Sequence, residues 1–185
     1  MEALQTRMRL VARPVKDSAG HGFDVDGGDA DGPVAYIRQP RTRPGRPVRP
    51  PFRISLGPGE DQIVAVAGGS GPVGAFTVAT PDGAGIGSIR AEKGRWELHQ
   101  PQAPVVVGVG RGLAGAVRRA DASVVSGLGL SVVLPFRIEF TADGHPACTI
   151  ARSAGPRGHY TIDIGAPWLD RRLILGTVIA LSRFT

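Results

Sequence analysis

The chain of 185 residues has one cysteine, Cys148, two lysines, Lys16 and Lys93, and only 5% aromatic residues. A single thiol forms no intrachain disulfide, so nothing in the chain asks for an oxidising compartment. Cys148 is expected to be a small core residue. The longest apolar run, residues 173–181, is about half of the roughly 20 residues that a membrane-spanning helix needs. Near the start, charges at Glu2, Arg7, Arg9 and Arg13 interrupt any apolar stretch of the kind an export signal carries. The expected location is therefore the cytoplasm. Carboxylates are missing from one segment in particular: Arg38, Arg41, Arg43, Arg46, Arg49 and Arg53 follow one another with no Asp or Glu between them.

What the chain holds in excess is glycine, 27 residues, and proline, 16, a composition that favours many short elements joined by tight turns. Its size suits one domain spanning 1–185. Arginine in place of lysine, with much Gly, Ala and Pro, points to a GC-rich bacterial genome. Single arginines then carry little information, whereas their distribution carries more. Outside the six-arginine segment 16 basic and 16 acidic residues balance, so the net charge of +6 resides in that segment.

Short runs of alternating apolar and polar residues recur along the chain, as in Phe23-Asp24-Val25, Phe52-Arg53-Ile54-Ser55-Leu56, Phe76-Thr77-Val78, Trp96-Glu97-Leu98 and Tyr160-Thr161-Ile162-Asp163-Ile164. Bounded by Gly, Pro and Asp, they read as half-buried antiparallel strands, about twelve in all. Asp-Gly occurs at Asp31-Gly32, Asp82-Gly83 and Asp143-Gly144, each followed by an apolar stretch that ends in arginine. Because Asp-Gly tolerates positive φ, each copy predicts a hairpin, and three such hairpins suggest a meander. Segment 39–51, with its prolines among arginines, lacks the donors and freedom of a central strand and reads as an extended connector. The C-terminal stretch breaks the pattern. Pro167 suits a helix start, the run 173–181 has no polar stripe, and the length of 168–183 fits a helix that must be surrounded on all sides.

Taken together, the Asp-Gly hairpins, Tyr160-Thr161-Ile162-Asp163-Ile164, Leu169-Asp170-Arg171-Arg172-Leu173-Ile174-Leu175 and the apolar run through Leu181 resemble the tubby C-terminal-like superfamily, within it the phospholipid scramblase and LURP-one-related branch. The resemblance covers the chain from about residue 9 to the end, with its distinctive part C-terminal. It implies a roughly twelve-stranded barrel enclosing a central hydrophobic helix, and binding of phosphoinositides or other membrane lipid through basic surface. The chain lacks the branch's cysteine cluster for lipid attachment, and Ser182 stands where relatives often have Asp, which argues against scrambling and calcium binding.

Other chemistry has weaker support. Gly69-Ser70-Gly71-Pro72-Val73-Gly74 and Gly110-Arg111-Gly112-Leu113-Ala114-Gly115 both fit G-x-G-x-x-G, which needs a helix behind it and an acidic residue about 20 positions on to hold a dinucleotide. The first is followed by an alternating strand pattern and the second lacks the acidic residue. His21, His99, His145 and His159 are scattered, so no zinc or Cys/His site assembles from local sequence. Asp24, Asp26, Asp29 and Asp31 crowd one loop without the glutamate that closes a calcium loop, and read as a solvated turn.

Guanidinium groups grip phosphate in a forked geometry, which makes Arg38, Arg41, Arg43, Arg46, Arg49 and Arg53 the candidate site for anionic phospholipid. Nucleic acid is disfavoured because no aromatic residue interleaves them for stacking. The expectation is a monomeric, non-catalytic barrel without cofactor, in the cytoplasm or peripheral at the inner membrane surface. The alternatives are a structural or protein-interaction module without a ligand, and an enzyme of unrecognised type, dinucleotide-binding included.

Overall fold

The computed structural model describes all residues except 1, 18–19, 29–31, 42–49, 59–61, 70–74, 93, 112–134, 156 and 184–185. A short helix α1 (Glu2–Gln5) precedes strands β1 (Arg9–Asp17), β2 (Gly20–Gly27), β3 (Pro33–Pro40) and β4 (Phe52–Ser55). Then come β5 (Ile63–Gly68), β6 (Ala75–Ala79), β7 (Gly85–Glu92) and β8 (Arg95–His99). Strands β9 (Val106–Arg111), β10 (Phe136–Ala142), β11 (His145–Arg152) and β12 (Tyr160–Ile164) lead to helix α2 (Arg171–Arg183). Every strand pairs antiparallel with its chain neighbours, and β1 pairs with β12 through Leu10↔Ile162, closing a twelve-stranded meander. Closure leaves no edge strand to recruit another chain.

Alternation sorts side chains to the two faces. On β3, Ala35, Ile37 and Gln39 are buried inside while Tyr36 and Arg38 point out; on β12, Tyr160, Ile162 and Ile164 are buried and Asp163 is exposed. Two Asp-Gly pairs join β6 to β7 and β10 to β11, and Asp31 of the first pair, between β2 and β3, lies outside the described residues. At the last of these both Asp143 (φ 50°) and Gly144 (φ 81°) lie in the left-handed region, the geometry of a two-residue I′ hairpin. The outer wall carries ion pairs such as Arg13 to Asp26, Arg95 to Glu97 and Arg137 to Glu139. An apolar lining inside and charge outside is the reverse of a membrane-spanning barrel.

A barrel of about eight strands is filled by its own side chains, and additional strands open a lumen. Here α2 fills it. Leu173, Ile174, Leu175, Thr177, Val178, Ile179, Ala180 and Leu181 are each 0% exposed. The Thr177 hydroxyl is satisfied within the helix, donating to the Leu173 carbonyl at 2.9 Å. The wall mixes small residues, Ala12, Ala35, Ala65, Ala67 and Ala147 among them, with large ones such as Phe52, Phe140 and Ile162. Helix and wall approach tightly at Gly176, where a Cβ would stand 2.4 Å from Val78 Cγ2. No helix among the described residues is long and apolar enough to cross a membrane.

One sequence expectation is corrected in detail. The helix starts at Arg171 rather than near Trp168, because Asp170 is the N-cap: its Oδ1 accepts the Arg172 amide at 2.8 Å. Trp168 stays outside, 43% exposed. Strand β1 was also hidden in the sequence, because Arg9, Arg13 and Lys16 mask its alternation and Pro14 argues against a strand. Pro14 is tolerated because β1 pairs with β12 only as far as Ala12, and beyond that point β2 is its sole partner.

Two tests follow from this packing. Gly176→Ala gains about 1 kcal/mol of helix propensity, but its methyl collides with a stiff valine on a hydrogen-bonded wall, and overpacking costs about 1–3 kcal/mol. Denaturant unfolding should show net destabilisation that Val78→Ala in the same chain partly relieves, whereas Val78→Ala alone destabilises. For Asp170, burial pushes the carboxyl up, but donors from Arg172 and Gln5 outweigh it and hold the group below its ordinary 3.8. Its folded-state value being depressed, its contribution is complete above about pH 4 and is lost as the pH falls through the lowered value. Asp170→Asn should flatten the acid limb of a melting-temperature profile and cost about 1–2 kcal/mol near neutrality.

Candidate functional site at the mouth of the barrel

In a meander, alternate connections fall at the same end. The end from which β1, β3, β5, β7, β9 and β11 exit also receives the C-terminus of α2; we call it the mouth. The opposite end is closed. There α1 packs Leu4 completely inside, and Arg171, 1% exposed, knots the chain together. Its Nε donates to the Arg7 carbonyl at 3.0 Å and Nη1 donates to the carbonyls of Pro167 at 2.9 Å and Leu169 at 2.5 Å. Gln5 adds a second stitch, donating to Asp170 Oδ1 at 2.9 Å and accepting from the Arg171 amide at 3.1 Å.

At the mouth β1 extends five residues, Arg13 to Asp17, past its last pairing with β12. Strand β12 begins only at Tyr160, after the turn that follows β11. That turn is held by Arg152, whose Nη2 donates to the Gly155 carbonyl at 2.9 Å, and by Ser153 Oγ, which accepts the His159 amide at 3.0 Å. The result is a cavity of about 890 Å³. Lys16, His21, Arg157 and Arg183 line it, and Pro14, Val15, Phe23 and Phe52 form its apolar wall. No carboxylate lines it among the described residues. Arg183, the last residue of α2, sits with its guanidinium 5.0 Å from the Phe52 ring centroid and 6.0 Å from that of Phe76. His21 meets Phe52 edge-on at 5.7 Å. The aromatic faces favour a cation and orient it.

The arginine segment is rooted in the same place. Gln39 and Phe52, the stems of the connection between β3 and β4, both line the cavity, and Gln39 Nε2 donates to the Pro50 carbonyl at 2.8 Å, clasping the stems together. Of the six predicted arginines, Arg38 and Arg53 face each other across β3 and β4 on the outer wall. Arg41 is exposed just past β3. Arg43, Arg46 and Arg49 lie outside the described residues. Although the segment itself has no carboxylate, neighbouring β2 supplies one: Arg38 Nη2 donates to Asp24 Oδ1 at 2.5 Å and Nη1 donates to the Phe23 carbonyl at 2.9 Å. Arg38 is thus committed to the wall, while Arg41 points to solvent.

Elsewhere, Asp24 and Asp26 of the acidic cluster are each paired with an arginine of an adjacent strand, and Asp29 and Asp31 lie outside the described residues. Among the described residues no three His, Cys, Asp or Glu side chains converge as a metal ion would require. Behind the first glycine motif β6 begins at Ala75 as a strand; residues 70–74 and 112–115 of the two motifs lie outside the described residues. Burial pushes the Cys148 thiol up to about 12, which makes it an inert core group. Comparison with family models, curated proteins and solved structures returns no match.

Sequence reasoning missed Lys16, His21, Arg157 and Arg183 as a group, because they are separated along the chain and only the β1–β12 closure brings them together. The one available signal was parity: each stands at a strand or helix end that a meander directs to the same side.

The closed end gives its own test. Arg171→Ala would remove the guanidinium donors from three carbonyls, the bond to Leu169 buried and those to Arg7 and Pro167 part-buried. An unsatisfied buried acceptor costs about 1–3 kcal/mol, so a loss of at least about 1–3 kcal/mol is expected in denaturant unfolding. Hydrogen exchange should accelerate at Arg7 and Met8 well beyond the change at the centre of β1. Unaltered exchange there would show that the guanidinium does not anchor the N-terminal segment.

Proposed function

We propose that the chain is a non-catalytic barrel that docks on anionic phospholipid surfaces through its basic mouth. Arg41, Arg43, Arg46 and Arg49 make the contact, with Arg38 and Arg53 supporting the stems. The observation that carries this reading is the clasp between Gln39 and Pro50, which roots the charged connection beside Lys16, Arg157 and Arg183. Basic groups gathered at one end of a rigid body suit a planar anionic surface, each contributing about 1 kcal/mol near the membrane. Twelve strands around a central apolar helix is also the architecture that the tubby-like resemblance implied, and it supports placing the chain near the scramblase and LURP-one-related branch. Peripheral attachment at a cytoplasmic membrane face is the location this reading entails.

Co-sedimentation with phosphatidylcholine vesicles, with and without phosphatidylserine, provides the test. Binding should require phosphatidylserine and weaken as salt rises. Replacing Arg41, Arg43, Arg46 and Arg49 together with serine should reduce it by about tenfold or more, while Arg38→Ser, whose partner is Asp24, should have a smaller effect. Undiminished binding by the fourfold variant would overturn the assignment.

A further inference from the structure

We infer that the closed end of the barrel is a docking surface for the mouth of a second copy of this chain, so that copies associate head to tail. The inference goes beyond the membrane reading, because the surface it assigns is the end opposite to the one that meets lipid. It also differs from the monomer expected on sequence alone, because it depends on which connections the closed barrel brings to each end.

A meander sorts its connections between two ends, and here the sorting segregates charge. Counted by sequence, the connections at the closed end, 28–32, 56–62, 80–84, 100–105, 143–144 and 165–170, hold seven carboxylates and neither lysine nor arginine. Those at the mouth, 18–19, 41–51, 69–74, 93–94, 112–135 and 153–159, hold eight lysines and arginines and one carboxylate, Asp121. The segment before β1 leaves the balance unchanged, with Glu2 against Arg7. At the start of α2, Arg172 pairs with Asp170 and Arg171 is 1% exposed, so the closed end still presents negative charge outward. Among the described residues, Asp82 and Asp143 are exposed at the closed end, and Lys16, Arg41 and Arg157 are exposed at the mouth. Opposite potentials at the two ends of one barrel attract the unlike ends of two copies and turn like ends away.

Charge steers the encounter, and apolar contact holds it. Of the four large apolar side chains that are exposed among the described residues, Met8, Val105 and Trp168 belong to the closed end. Their segments are fastened to one another there. The Trp168 carbonyl accepts from Gln100 Nε2 at 3.1 Å, in the connection that ends at Val105, and the Met8 carbonyl accepts from the Ile164 amide at 2.8 Å. An exposed indole at an acidic end suits a guanidinium, which stacks on the ring while it pairs with carboxylates. The connection 41–51 supplies such groups in this chain. Its eleven residues, anchored at both stems, reach about 19 Å from the mouth, whereas β3 alone spans about 26 Å between the two ends. The closed end it can meet is therefore that of another copy. Because the two surfaces lie at opposite ends, each contact leaves both partners with an unused end, and further copies add in a row.

Sedimentation velocity of the full chain across concentration and salt tests the assignment. The unaltered chain should form species larger than a dimer at low salt, and these should dissociate toward monomer as salt rises. Asp82→Asn with Asp143→Asn and Trp168→Ser should weaken association by about tenfold or more. The melting temperature should stay unchanged, because Asn-Gly suits both turns and the Trp168 bond is made by its carbonyl. Serine at Arg41, Arg43, Arg46 and Arg49 should weaken association similarly. Mixed in equal amounts, the two variants retain one intact surface each and should give a heterodimer and nothing larger, as contact between unlike ends requires. An unaltered chain that stays monomeric, undiminished association of the closed-end variant, or no heterodimer from the mixture would overturn the inference. Vesicle binding without self-association would sink this inference and spare the membrane reading. Self-association without vesicle binding would do the reverse.

Discussion

Enclosure of α2 by a closed sheet is the constraint from which the rest of the structure follows. A helix apolar around its whole circumference needs a wall on every side, and a sheet large enough to provide one must close or leave two edges bare. Closing at twelve strands meets both demands at once. The wall must then fit the helix locally, and Gly176 is needed where Val78 leaves no room for a Cβ. Arg171 and Asp170 at one end and Arg183 at the other are the points where a buried helix meets polar surroundings, and each is fastened by specific partners rather than left to solvent.

The same plan separates support from recognition. At the closed end α1, Gln5, Gln100 and Arg171 tie backbone groups together. The mouth is different, because β1 outruns β12 and leaves a gap. Lys16, Arg157 and Arg183 line that gap together with Phe23 and Phe52. Unequal strand lengths, a common way for a barrel to end, thereby produce a lined cavity among the described residues. The prolines of 39–51 fit this division, since the ladder between β3 and β4 stops at Arg38 and Arg53.

Which parts of this were open to sequence reasoning depends on the range of the interactions involved. Period-two patterns, Asp-Gly turns and the featureless apolar run of 173–181 are local signals, and they sufficed for twelve antiparallel strands, a meander and a buried helix. They failed where a local rule had a tertiary exception: Pro14 in β1 was acceptable only because β12 had already ended, and Pro167 did not start the helix because Asp170 was the better cap. The arginine segment was visible as a charge anomaly, yet the pairing of Arg38 with Asp24 needed the β2–β3 register.

The sequence by itself therefore determined the kind of fold and the segment where net charge accumulates, because hydrophobic period, turn chemistry and charge counts are properties of neighbouring residues. Only the tertiary structure decided which charges remain available and which meet. Closing β1 on β12 joins the first strand to the last, and a contact between chain ends carries no local signature, so the cluster of Lys16, His21, Arg157 and Arg183 exists only once the barrel has shut.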